Sequence, residues 1–134
     1  MNNQHEQAGL RQKLFRNTAE RQGATVLPGC WGGDYNADQL ALYQNESSLV
    51  LLLGLKVTDD REGTINLDTQ SLGPYMQLSL AWINAMSQCL RQSPDLVAYS
   101  EKIDEALARG ALIAAVMVLA MGSQQVDIIR VGVV

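Results

Sequence analysis

Residues 49–57 read Leu-Val-Leu-Leu-Leu-Gly-Leu-Lys-Val, an aliphatic run interrupted only by Gly54 and Lys56. A strand with one wet face alternates apolar and polar side chains. A strand covered on both faces reads as a near-continuous apolar run. This stretch therefore predicts a buried strand, and the pattern on either side of it decides what kind of sheet it enters.

Upstream, Leu40 and Leu42 alternate with Ala41 and Tyr43, which predicts a short strand, and Asn45-Glu46-Ser47-Ser48 reads as a turn. Downstream, residues 58–63 (Thr-Asp-Asp-Arg-Glu-Gly) form a polar turn, and 64–68 alternate again with Ile65 and Leu67 on one face. Three antiparallel strands in a meander follow from this spacing. Before them, residues 6–22 read as a helix with a thin stripe of Leu10, Leu14, Phe15 and Ala19, stopped by Gly23. Residues 1–5 are expected to fray. Residues 75–91 read as a second helix with Pro74 at its first position, and Ser93-Pro94-Asp95 as the cap of a third that ends at Gly110. Residues 111–120 suit either a strand or a continuation of that helix. The β-branched segment 126–134 predicts a closing hairpin. The expected fold is a single α+β domain spanning residues 1–134. Its antiparallel sheet, a three-strand meander plus C-terminal hairpin, is packed by helices in the order α-β-β-β-α-α-β-β.

Composition narrows the function. A chain of 134 residues suits one domain, and 14 acidic against 10 basic residues give a net charge of −4. His5 is the lone histidine, and Cys30 and Cys89 are the two cysteines. A disulfide scaffold, a multi-histidine metal site and a basic nucleic-acid module all fit poorly. No cofactor and no metal are expected. The polar N-terminus lacks a secretory plan, and the longest apolar run, 111–121, is half of the roughly 20 residues a membrane helix needs. A cytoplasmic protein (or a virion component, if phage-derived) with no membrane or nucleic-acid partner is the expectation.

Candidate chemistry is sparse. The 58–63 turn lacks the leading aspartate and the bidentate glutamate of a calcium loop. Pro28-Gly29-Cys30-Trp31-Gly32-Gly33-Asp34 is an irregular loop. No lysine follows its glycines, so it is no phosphate cradle. Cys30 is a weak catalytic candidate, since thiolate formation needs a base and His5 is far away in sequence. No Gly-x-Ser-x-Gly is present. Cys89 falls on an apolar helical stripe and is expected in the core. Glu101, Asp104 and Glu105 read as a solvated face. An enzyme is not expected.

What remains is contact surface. Trp31, Tyr35 and Tyr43 could form an aromatic recognition patch. The second helix carries two apolar stripes, one with Met76, Leu80, Ile83 and Leu90, the other with Tyr75, Leu78, Trp82, Ala85 and Cys89. A helix apolar on two faces is enclosed by its domain or covered by a partner, so Met76, Trp82 and Ile83 are interface candidates. The strand ending Val131-Gly132-Val133-Val134 has no charge after Arg130 to guard an edge. These features predict a non-enzymatic assembly or interaction protein whose partners are itself, as a homo-oligomer, and possibly another protein. The element order resembles the ring-forming tail-terminator proteins of tailed phages. It is also similar to the small acidic type III secretion chaperones, which dimerise and wrap an effector segment. Against the chaperones, the chain adds the helix at 94–109 and lacks a final helix; against the phage proteins, it adds a closing strand. No functional residue carries over. The alternative is a small-molecule binder or cysteine enzyme using the loop at 28–34.

Overall fold

The aliphatic run lies in the middle strand of a five-stranded sheet. The structure is a computed structural model describing residues 3–28, 39–58, 76–120 and 125–134, with side chains described from residue 9 onward apart from Thr58. Its elements are α1 (Asn3–Arg21), β1 (Thr25–Leu27), β2 (Gln39–Asn45), β3 (Ser48–Thr58), α2 (Leu80–Arg91), α3 (Val97–Ala108), β4 (Leu112–Ala120) and β5 (Gln125–Val133). Residues 111–120 thus resolve as strand. The fold is α+β, and the sheet runs β1-β2-β3-β4-β5.

The sheet is mixed, which corrects the antiparallel expectation. β1, β2 and β3 form an antiparallel meander and β4 and β5 an antiparallel pair, but β3 and β4 are parallel, with Leu49 opposite Leu112 and Leu53 opposite Val116. The reason is connective: the chain leaves β3 at the Thr58 end, passes through α2 and α3, and enters β4 at the other end, beside Leu49, as parallel neighbours require. The described meander also uses a different strand. β1 has three residues, too few to show a period of two, whereas the expected strand at 64–68 lies outside the described residues.

Both faces of β3 are covered. Leu49, Leu51 and Leu53 join a cluster with Trp82, Ile83, Met86 and Ile103 from α2 and α3. Val50, Leu52 and Leu55 join Phe15 and Ala19 of α1 on the other side, with Ala115 and Met117 of β4. Gly54 sits where the layers close most tightly: a Cβ there would lie 2.9 Å from Met117 Cβ and 3.0 Å from Phe15 Cδ2. Lys56, the charge in the run, donates from Nζ to Oε1 of the buried Gln77 at 2.9 Å. Arg11 of α1 donates from Nη2 to the Leu55 carbonyl at 2.6 Å.

Helix ends follow local chemistry. α1 stops at Gly23 (φ 80), whose N–H donates to Glu20 O while Ala24 N–H donates to Ala19 O. α3 repeats the arrangement at Gly110 (φ 65), with Gly110 N–H on Leu107 O and Ala111 N–H on Ala106 O. Both are Schellman caps, and both need a residue that tolerates positive φ. The starts differ from the sequence reading. α1 begins at Asn3, inside the stretch expected to fray. α2 begins at Leu80, not Tyr75, because Ser79 accepts from Trp82 N–H and Leu78 before it takes φ 67, outside helical geometry. α3 begins at Val97 with no side-chain cap; Ser93 ends up in the preceding turn, where its carbonyl accepts from Leu96 N–H.

Candidate functional site

β5 is the feature of the sheet with unspent binding capacity. It lies at the edge, nine residues long, and no described strand pairs with its outer side. An edge strand leaves alternate backbone N–H and C=O groups open to a further strand. Three of its apolar side chains are exposed as well: Ile129 at 45%, Val131 at 56% and Val133 at 67%. A bulge arranges them. Ala115 pairs with Arg130 and Ala114 with Gly132, so Val131 is the extra residue, and Gly132 carries φ 146. Side chains alternate faces along a strand, and the bulge shifts that phase by one. Ile129 therefore stands beside Val116 on the α2–α3 side, while Val133 stands beside Ile113 on the α1 side. The apolar row wraps round the edge instead of lying on one face. The opposite edge, β1, is three residues long.

The sequence candidates are distributed differently. Trp82 and Ile83 are fully buried against the sheet, so neither can meet a partner while the domain is folded. Met76 is 49% exposed, in the turn before α2. Tyr43 is half-buried and packs against the α1-side cluster. Cys30, Trp31 and Tyr35, with most of the loop at 28–34, lie outside the described residues. Cys89, expected in the core, is exposed on α2. The two stripes of α2 resolve into one: Trp82, Ile83, Met86, Ser87 and Leu90 are buried, an arc of about 140° at about 100° per residue. Leu80, 56% exposed, is the large apolar residue of α2 left on the outer side.

Asp104 is not part of a purely solvated face. Ser87 Oγ donates to Asp104 Oδ1 at 2.9 Å and lies 2.7 Å from the buried Ser100 Oγ. Ser87 has one proton and gives it to the carboxylate, so Ser100 is the donor between the two hydroxyls. Arg91 closes the network, donating Nε to Ser100 Oγ at 3.3 Å and pairing through Nη2 with Asp104 Oδ2. Every partner is satisfied within α2 and α3, which makes this a clamp between helices with no reactive group left over. Among the described residues, no group of three or more histidine, cysteine, aspartate or glutamate side chains is placed to hold a metal. No described helix is long and apolar enough to cross a membrane.

What the sequence reading lacked was Ile129, the member of the edge row that precedes Arg130. Its signal was the doublet Ile128-Ile129, whose two side chains fall on opposite faces of a strand. No family model, curated protein or solved structure matches this chain.

Proposed function

We propose that this protein is a non-enzymatic assembly protein that self-associates through β5. The observation that carries the reading is the exposed row Ile129, Val131 and Val133 on a nine-residue unpaired edge. Because the row occupies both faces of the edge, a partner covering one face alone would leave part of it wet. A strand added alongside β5 brings its own side chains to both faces and completes the backbone ladder. Edge lengths select the symmetry. A head-to-tail ring or filament would have to join β5 to β1 over three residues, whereas two β5 strands match each other along their whole length. An isologous twofold dimer with a continuous ten-stranded sheet follows. Burying half-exposed Val and Ile side chains contributes on the order of 1 kcal/mol each. Six such side chains in the dimer, with a ladder of about eight backbone hydrogen bonds at about 1 kcal/mol each, outweigh an association cost of about 4 kcal/mol or more, and a micromolar dimer is expected.

Light scattering coupled to size exclusion, run from one to several hundred micromolar, tests this. The expected result is a monomer–dimer transition in that range, abolished by Val131→Lys and by Ile129→Lys with the melting temperature little changed. A wild-type chain that stays monomeric throughout ends the self-association reading. If it stays monomeric but pairs with an added extended peptide, β5 serves a different partner and the dimer is withdrawn.

A further inference from the structure

Beyond the edge, a cleft of about 350 Å³ opens between α3 and the strands β1 and β2. It lies at the end of the sheet marked by Thr25, Leu42 and Leu49, opposite the end from which the stretch containing the 28–34 loop departs. Its lining residues all belong to the described chain. Leu42 and Leu49, each 5% exposed, give it an apolar base. Tyr99, half-buried against the core, and Lys102, Glu105 and Arg109 supply the α3 wall.

The charges in that wall are not equivalent. Arg109 is occupied: Nε sits 3.4 Å from Glu105 Oε1, and Nη1 donates to the Ser47 carbonyl at 3.3 Å. Lys102 makes no hydrogen bond or ion pair with any described residue, and neither does the Tyr99 hydroxyl. The helix end does not use the lysine either, since the carbonyls of Glu105, Ala106 and Leu107 accept from Arg109, Ala111 and Gly110 N–H groups. With Glu105 cancelling Arg109, the cleft keeps one unneutralised positive charge and an unused hydroxyl donor beside apolar surface. Small-molecule sites combine these elements, an apolar pocket of about 300 Å³ or more and a few polar groups that fix orientation.

We propose that this cleft binds a small organic monoanion, a carboxylate carrying a compact apolar body the size of one aromatic ring. The body rests on Leu42, Leu49 and the Tyr99 ring, and the carboxylate accepts from Lys102 and the Tyr99 hydroxyl. The site lies towards the β1 edge of the sheet, away from the β5 edge, so it holds whether or not the chain dimerises. The test is an amide NMR titration of the whole chain with benzoate, its neutral isostere benzamide, and phenyl phosphate. Benzoate is expected to saturate at millimolar concentration with shifts centred on Gln44, Tyr99 and Lys102. Lys102→Gln should weaken it about tenfold, the loss of one charge-assisted hydrogen bond, while Lys102→Arg retains binding. Both variants change an exposed residue, and an unchanged melting temperature confirms that they fold. Three results overturn the proposal: no saturation with benzoate, equal affinity for benzamide, or unchanged affinity in Lys102→Gln. Tighter binding of phenyl phosphate than of benzoate overturns the carboxylate assignment.

Discussion

Gly54 shows how much one atom can decide. Its missing Cβ lets β3 pass within contact of Met117 and Phe15, so Gly54→Ala must push apart a helix and a neighbouring strand. A loss of about 1–3 kcal/mol is expected from urea denaturation, the range for overpacked cores. Trp82 poses the opposite problem. It is fully buried, and Trp82→Ala should cost about 3–5 kcal/mol through the cavity it leaves. That loss should appear as a lowered melting temperature at every protein concentration. A change confined to the oligomeric state, with the monomer's stability intact, would return Trp82 to the surface. The residue type was legible in the sequence, and its address was not. Two stripes flanking one helix look alike until the sheet is known to take the arc between them.

At the scale of elements, the helix ends were the most readable part of the chain. Gly23 and Gly110 stop α1 and α3 because positive φ is cheap for glycine alone, and that preference is local. Gly110→Ala should therefore destabilise the protein by about 1 kcal/mol, measured by denaturant midpoint, with no change in fold by circular dichroism. Helix starts were harder. Ser79 and Ser93 are both good capping residues, yet only Ser79 caps, because neighbouring turns settle which serine stands at a helix entrance. The α2–α3 clamp was not legible at all: Ser87, Ser100 and Asp104 come from two helices whose packing brings them within hydrogen-bond distance. Ser87→Ala leaves the buried Ser100 hydroxyl short of its acceptor and should cost about 1–2 kcal/mol, read from thermal unfolding.

For the whole molecule, the consequence of the topology lies in its two unequal edges. β1 is too short to template much pairing, and β5 is long and apolar. If β5 pairs with a second β5, its amides should exchange with solvent more slowly as protein concentration rises, while amides of β1 should not respond. Hydrogen exchange at low and high concentration, followed by mass spectrometry of the β5 peptide, checks this directly. Equal exchange at both concentrations removes the dimer. The β3–β4 pairing matters here because it places β4 inside the sheet and leaves β5 outermost.

The sequence by itself determined that residues 49–57 form a strand, buried on both faces as far as Leu55, that α1 and α3 stop at glycines, and that the last segment is an apolar strand. Each of these rests on local chemistry: hydrophobic alternation, backbone freedom and side-chain branching act within a few residues. Only the tertiary structure decided the parallel direction of β4, the burial of Trp82 and Ile83, the exposure of Cys89 and the edge position of Ile129, Val131 and Val133. Those depend on which elements meet. Pairing direction follows the path of the connection, and burial follows what lies opposite, so neither is written in the residue's own neighbourhood.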